Sequence, residues 1–284
     1  MDALTLELLN GLSLFATLGI VALGLGIVFG LMGIINLAHG EFVMIGAYVA
    51  YVAHASGLSH WLSLPLAAVV LFVLGACIEV GLIRRIHRRP EVTILATFGL
   101  SICLRQAVEL IFTKDFRGVP NPVPGATRAF GVLFPTYRYV LIGIAVVVVV
   151  VTLLAFTRSR FGLTVRAIVA DRDLADASGV RTGIANFCAF GIGAATAGIA
   201  GALVAPLGAI EPQAGLAYLP GAFLVVIVGG FGRLWGVIAG ALAVAAVQTG
   251  VIHFYDAVWA QIAALVLAVL MLQLRRVPVE GATR

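Results

Sequence analysis

The chain has 284 residues, of which 62% are hydrophobic and only 11% are charged. Soluble globular domains usually carry about 25% charged residues, so this composition excludes a soluble enzyme or a soluble binding domain. The net charge of +5 does not indicate nucleic-acid binding either, because most of the basic residues lie in short loops, where they set the orientation of a membrane protein.

Apolar runs of roughly 20 residues recur along the whole length, which is typical of helices that cross a lipid bilayer. We therefore predict an all-α polytopic membrane protein with about eight or nine transmembrane or re-entrant helices, forming a single domain over residues 1–284. The three cysteines are isolated in apolar segments, so their spacing predicts no metal site. No cofactor is expected.

The first span is expected over residues 8–35 and the second over residues 37–55. Three polar residues lie within six positions where the two spans meet, one between them and two at the start of the second: Asn36, His39 and Glu41. Polar groups are costly at this depth in a membrane, and they usually mark a function. Gly40 and the neighbouring glycines indicate that the helix is broken or closely packed here. The polar residues either line or gate a pathway, or cap the broken helix and fix its packing.

The third span, over residues 64–83, leads into a strongly basic loop. Four of the six residues 84–89 are arginine, which places this loop in the cytoplasm under the positive-inside rule. The fourth span, over residues 92–112, contains Arg105 and Glu109. They are four positions apart and share a helix face, so they either form an ion pair near the external interface or line the pathway.

The second half continues with alternating loops and spans. Residues 113–137 contain four prolines and are expected to form an external loop. Further spans are expected at residues 139–156, 184–204, 236–251 and 257–274. A short apolar segment at residues 219–231 either crosses or re-enters the membrane, and with it the chain makes nine passages. The tail that begins at Arg275-Arg276 is expected to be cytoplasmic.

A second glycine-rich interruption follows the short apolar segment. Its glycines are Gly229, Gly230 and Gly232. We interpret them as positions of helix breaking or close packing. Paired interrupted segments in the two halves of a membrane protein are typical of a transporter whose binding site lies between the halves.

Residues 158–181 form the second basic loop, which we also place in the cytoplasm and call the handle. Val165, Ile168 and Val169 recur at helical spacing, the aspartates that follow present charge, and Gly179 fits a helix stop. A short amphipathic helix of this kind either docks into a groove of a soluble partner or lies on the membrane surface.

The handle also carries a family resemblance. The stretch from Asp173 through Ala175 to Gly179 resembles the Glu-Ala-Ala-x-x-x-Gly coupling loop of ABC importer permeases, with Asp173 at the glutamate position. The wider region with Arg166 and Asp171 resembles the branched-chain amino acid permease family. Residues 36–42 and residues 229–240 resemble the same family, and all these motifs occur in the family's order.

This resemblance implies a multi-pass permease subunit of an ATP-driven importer in the bacterial inner membrane. The implied partners are a second homologous permease, two ATP-binding subunits and a periplasmic substrate-binding protein, within the lipid bilayer and without nucleic acid. The implied residues for coupling to the ATPase are Arg166, Asp171, Asp173, Ala175 and Gly179. The sequence contains no Gly-x-x-x-x-Gly-Lys-Ser/Thr motif, so ATP hydrolysis is expected on separate subunits.

Alternatives to a branched-chain amino acid importer remain open. Gly221 stands where branched-chain permeases more often have lysine, which favours a urea or short-chain amide permease. A passive channel would need no handle. An intramembrane hydrolase would use a serine such as Ser101, but no Gly-x-Ser-x-Gly turn surrounds it, and we predict no catalytic residue.

Overall fold

The computed structural model describes residues 2–86, 89–129, 131–230 and 232–274. In chain order its elements are α1 (Asp2–Met32), α2 (His39–Ala55), α3 (His60–Ile78), α4 (Arg84–Ile86), α5 (Pro90–Phe112), β1 (Ala126–Ala129), β2 (Val132–Pro135), α6 (Thr136–Arg158), α7 (Arg160–Ala170), α8 (Arg172–Ala177), α9 (Thr182–Val204), α10 (Ala214–Gly229), α11 (Leu234–Phe254) and α12 (Ala257–Leu274). A π-helical turn at Glu79–Ile83 joins α3 to α4, and a 3-10 turn at Ala205–Leu207 follows α9.

Seven helices in the described part of the chain are long and apolar enough to cross a membrane, with α3 and α4 counted as one continuous helix. The prediction of an all-α polytopic membrane protein is confirmed. The expected number of long spans was one too high, because α2 begins only at His39 and has 17 residues. A helix of that length is about 25 Å long, shorter than the ~30 Å hydrocarbon core. The predicted short segment is α10, with 16 residues.

The centre of the bundle is formed by α1 and α9, with α2 packed closely against α9. Of the apolar window in α1, 72% is buried, compared with 17% in both α5 and α12. Glycines allow the close approach: a Cβ atom on Gly46 of α2 would overlap the backbone of Gly198 of α9. Small residues at helix crossings are the usual device for bringing membrane helices together, because backbones can then make van der Waals contact.

One end of the bundle, which we call the hairpin end, contains a short antiparallel sheet. Strands β1 and β2 pair with Ala126 opposite Pro135. The sequence predicted this region only as an external loop, without strands. The start of α6 is joined to the start of α1, because Arg138 Nη1 donates a hydrogen bond to Asn10 Oδ1 at 2.7 Å. Glu7 of α1 also pairs with His253 at the end of α11.

The opposite end, which we call the handle end, contains α7, α8 and the end of α4. Arg84 pairs with Glu79 at 2.7 Å and donates to the carbonyl oxygen of Gly183 at 3.2 Å, which joins this loop to the start of α9. Both basic loops are therefore on the same side of the bundle. His87 and Arg88 of the first loop and the tail from Arg275 lie outside the described residues.

Candidate functional site

The first interruption of the bundle, residues 33–41, brings α2 back to the middle of α1, and we call it the polar break. The chain leaves α1 at Gly33, whose φ of +66° favours glycine. The side chain of Asn36 then accepts a hydrogen bond from the backbone N–H of Ala38 at 3.1 Å, a local turn that re-aims the chain into α2.

His39 fixes the depth of the polar break. Its ring is completely buried, and Nε2 lies 2.8 Å from the carbonyl oxygen of Val21, near the middle of α1. Because a carbonyl can only accept, Nε2 carries the proton in this bond. Gly24 makes room for the ring, since a Cβ atom there would lie 3.0 Å from Cε1 of His39. The start of α2 therefore lies halfway along the bundle.

Glu41 is buried and forms an ion pair with α5. Its Oε1 accepts hydrogen bonds from Ser101 Oγ at 2.9 Å and from Arg105 Nη2 at 3.0 Å. The predicted pair between Arg105 and Glu109 is therefore wrong, and Glu109 pairs with Lys114 instead, at 3.0 Å. The physical reason is burial. Leaving the buried carboxylate of Glu41 unpaired would cost far more than leaving the partly exposed carboxylate of Glu109 unpaired, so Arg105 pairs with Glu41.

A row of polar residues attaches α5 to the polar break. Thr97, Ser101 and Arg105 are four positions apart and lie on one face of the helix, which we call the α5 polar face. Thr97 Oγ1 accepts a hydrogen bond from the backbone N–H of Leu37 at 3.2 Å. Although only 17% of the apolar window of α5 is buried, these polar bonds join it to the polar break, and Phe112 packs on Tyr48 of α2 with ring centres 4.7 Å apart. Sequence reasoning missed this face, although the four-residue spacing was a readable signal.

The polar break keeps several buried atoms without a partner. Among the described residues, these atoms include Asn36 Nδ2, His39 Nδ1 and Glu41 Oε2. The structure does not bring the three side chains into one cluster. His39 bonds to α1, Glu41 bonds to α5, and the side chain of Asn36 bonds within the break itself. Their arrangement offers a buried acid, an imidazole and an amide at different sides of one helix start.

Gly40 and Gly229 allow the backbones of neighbouring helices to come into close contact. A Cβ atom on Gly40 would overlap the carbonyl oxygen of Gly215 in α10, and one on Gly229 would overlap that of Gly236 in α11. Residues 229–233 form the second interruption, which we call the glycine break. Gly230 and Gly232 both have positive φ values there, +91° and +77°.

The handle consists of two helices, whereas the sequence predicted one short helix with a charged end. Asp171 divides them, because its Oδ1 accepts a hydrogen bond from the backbone N–H of Leu174 at 2.9 Å and so caps α8. Arg166 Nη1 donates to the carbonyl oxygens of Phe156 and Thr157, at 2.9 and 3.1 Å, in the last turn of α6. Both charges therefore hold the handle in shape.

The remaining handle residues divide into buried and exposed positions. Ala175 is buried against the bundle, and Gly179 closes α8 with a φ of +80°. Asp173 is exposed in the first turn of α8, beside Leu174, which is 64% exposed. Leu163 of α7 is 62% exposed. Asp171, Asp176 and Val169 are also exposed, so the handle presents several acidic and several apolar side chains to its surroundings.

Comparison with known proteins shows the family to which this chain belongs. A family model described as the permease component of branched-chain amino acid transport systems matches residues 7–274. The chain is 31% identical over 258 residues to the high-affinity branched-chain amino acid transport system permease protein BraD of Pseudomonas aeruginosa, with 83% of this chain and 82% of BraD covered.

Two further relatives carry related names. The chain is 31% identical over 256 residues to the permease protein LivH of Escherichia coli, with 83% of this chain and 82% of LivH covered. It is 27% identical over 254 residues to the permease protein LivM of the same organism, with 78% of this chain and 58% of LivM covered. Both are named as permease proteins of a high-affinity branched-chain amino acid transport system.

Proposed function

Because this chain belongs to the family of permease components of branched-chain amino acid transport systems, we propose that it is the membrane subunit of an ATP-driven importer of branched-chain amino acids. The observation that carries the substrate class is its similarity, over 83% of its length, to BraD and LivH. A periplasmic binding protein would deliver the substrate, and ATP hydrolysis on separate subunits would drive its passage.

The polar break is the proposed gate, with Asn36, His39 and Glu41 as its residues. Two observations support this role: all three side chains are completely or almost completely buried, and each keeps an atom without a partner. An unpartnered buried polar atom costs about 1–3 kcal/mol. Atoms of this kind can bind a passing substrate or find a partner in a second conformation, and buried polar residues within a membrane commonly mark a transport pathway.

The handle is the proposed contact with the ATP-binding subunits, which places the handle end in the cytoplasm. Its exposed Leu163 and Leu174 support this, because large exposed apolar side chains outside a bilayer usually mark a partner surface. Arg166 ties α7 to the last turn of α6, and Arg84 ties the start of α9 to α4. A push on the handle would therefore reach several membrane helices.

A second permease subunit is the remaining proposed partner. The chain is similar both to LivH and to LivM, two permease proteins named for the same kind of transport system. This supports a pair of related membrane subunits, of which this chain would be one. The bundle leaves most of α5 and α12 unburied, so either helix has a face available for lipid or for that partner.

A urea or short-chain amide importer is the second candidate, favoured by Gly221. A Cβ atom at this position of α10 would lie 2.9 Å from Cδ2 of Leu18 in α1. The lysine that branched-chain permeases more often have here would therefore require Leu18 to move. The residue belongs to a contact between two helices and says nothing about substrate charge, so the amino-acid assignment is preferred.

Uptake of labelled leucine and labelled urea by cells with the complete transporter tests the proposal. We expect leucine to enter, and Asp173→Arg to abolish its entry, because a reversed charge on α8 would disrupt the contact with the ATPase. Asp115→Arg is the matched control, since Asp115 is an exposed acid at the hairpin end. Uptake of urea alone would overturn the substrate class. Leucine uptake that persists with Asp173→Arg would overturn the coupling role of the handle. That result would favour a passive channel.

A further inference from the structure

A cavity of about 330 Å³ lies at the hairpin end of the bundle, between α1, α2, α10 and the turn that follows α9. Its lining includes Asn10, Ser13, Thr17, Val43, Ala47 and Arg138. Its volume falls within the range of small-molecule sites, about 300–1,000 Å³. The sequence did not predict this cavity, and none of these residues belongs to the polar break or to the handle.

The two long walls of the cavity differ in chemistry. The α1 wall presents Asn10, Ser13 and Thr17, which are three or four positions apart and therefore share one helix face. The α2 wall presents apolar side chains, among them Val43 and Ala47. A guest with one polar side and one apolar side fits this arrangement, with its polar groups along α1 and its apolar group against α2.

Arg138 supplies a fixed positive charge at the cavity. One nitrogen, Nη1, donates to Asn10 Oδ1 at 2.7 Å, and the guanidinium carbon lies 5.6 Å from the centre of the Phe134 ring. A guanidinium has five N–H donors, and its fork matches a carboxylate. The bond to Asn10 engages one donor, and the ring contact adds a cation–π attraction that restrains the side chain. The group is thus oriented before any ligand arrives.

We propose that this cavity is an entry site for an α-amino acid with a branched apolar side chain. Arg138 binds the carboxylate, and the side chain of the amino acid lies against Val43 and Ala47. The proposal rests on the importer function above and adds a binding site to it. Since Val43 is two residues after Glu41, a guest here lies about half a turn of α2 from the polar break. Urea has neither the carboxylate nor the apolar group.

Protection of an engineered cysteine tests the proposal in the complete transporter, reconstituted in vesicles. Ser13→Cys places a small thiol on the α1 wall, in a background where Cys77, Cys103 and Cys188 are replaced by alanine. A membrane-impermeant thiol reagent is applied with leucine, leucinol, urea or no addition. We expect leucine to slow the labelling, and leucinol and urea to leave it unchanged, because neither carries a carboxylate. Leu133→Cys is the control thiol, since Leu133 is exposed at the same end but outside the cavity.

The charge is tested in the same assay. Arg138→Gln should raise the leucine concentration needed for protection about tenfold, because a hydrogen bond to a charged group is commonly worth a tenfold step in affinity or more. Arg138→Lys keeps the charge without the fork and should give a smaller increase. Arg128→Gln is the matched control: it removes an equal charge from the exposed strand β1 and should leave protection unchanged.

Each outcome has a distinct meaning when leucine import is measured on the same vesicles. Import without protection of Ser13→Cys would overturn the entry site and leave the proposed function standing. Equal protection with Arg138 and with Arg138→Gln would overturn the role of the arginine. Protection by leucinol equal to that by leucine would overturn carboxylate recognition. Absence of leucine import with native Arg138 and Ser13 would overturn the proposed function itself.

Discussion

The chain is interrupted twice inside its bundle, and only the first of the two interruptions adds buried polar side chains to close glycine packing. In the glycine break, backbone packs directly on backbone, as between Gly229 and Gly236. The polar break has one such contact, between Gly40 and Gly215, and adds three buried polar side chains, each of which keeps an unpartnered atom. A membrane protein can therefore end a helix at depth by close packing alone. The proposed gate would account for the costly polar side chains at residues 33–41.

The two breaks also differ in what they attach. The glycine break lies beside α1, since a Cβ atom on Gly30 would lie 3.3 Å from the Cα atom of Gly232. The polar break attaches α5, one of the least buried spans, through an ion pair and hydrogen bonds. Directional polar bonds can be exchanged one for another, so the proposed place of movement is the α5 side of the polar break, while its α10 side is held by the contact between Gly40 and Gly215.

The largest effect is expected from a side chain placed in the glycine break. Gly229→Val should lower the free energy of unfolding by more than about 3 kcal/mol, because its Cβ atom overlaps the backbone of Gly236. The yield of monodisperse protein after detergent extraction should fall as a result. Gly250→Val in α11 is the matched control, since an added Cβ atom there meets nothing within 4 Å. Equal yields for the two variants would contradict the packing account.

A smaller effect is expected from breaking the ion pair in the polar break. Glu41→Ala leaves Arg105 and Ser101 without their acceptor, and such losses cost about 3–5 kcal/mol for fully buried pairs. Because the side chain of Arg105 is 20% exposed, we expect about 3 kcal/mol. Glu109→Ala, which removes a partly exposed pair with Lys114, should cost less than about 1 kcal/mol. The midpoints of thermal unfolding decide between these values.

The smallest effect is expected from the α5 polar face. Thr97→Val removes the hydroxyl that accepts from the N–H of Leu37 and should cost about 1 kcal/mol. Hydrogen–deuterium exchange of residues 33–38 should become faster, with little change elsewhere. Thr164→Val is the control, because that hydroxyl bonds within its own helix, to the carbonyl oxygen of Arg160. Unchanged exchange at residues 33–38 would show that α5 is attached in another way.

The sequence was sufficient to locate the polar break but not to pair its charges. Asn36, His39 and Glu41 stand out because polar residues between apolar runs are visible without coordinates. The partner of Glu41 is Arg105, 64 positions away in the sequence. From the sequence, Arg105 was paired with Glu109 because the four-residue spacing rule applies only within one helix. Desolvation of Glu41, which decides the pairing, appears only once the helices are packed.

Local rules also explain the other differences. The handle was expected to be one helix, but Asp171 can cap a new helix as readily as it can end the previous one, and the structure uses it as a cap. The second span was expected to be full length because its apolar run continues to Ala55. Only the bond between His39 and Val21 shows that it starts at half depth. The entry cavity had no sequence signal, since its walls come from residues far apart in the chain.

The most direct test of the gate is to replace the buried ion pair by apolar side chains and to measure leucine uptake. The double variant Glu41→Leu/Arg105→Leu removes both charges, and such replacements are often neutral or stabilising. Glu109→Gln/Lys114→Gln is the control pair at the surface. If the polar break serves transport, the double variant remains folded in the complete transporter and loses leucine uptake at least about tenfold, a change of about 1.4 kcal/mol in the barrier. Uptake at the level of the control pair would contradict the account and make the polar break a structural feature.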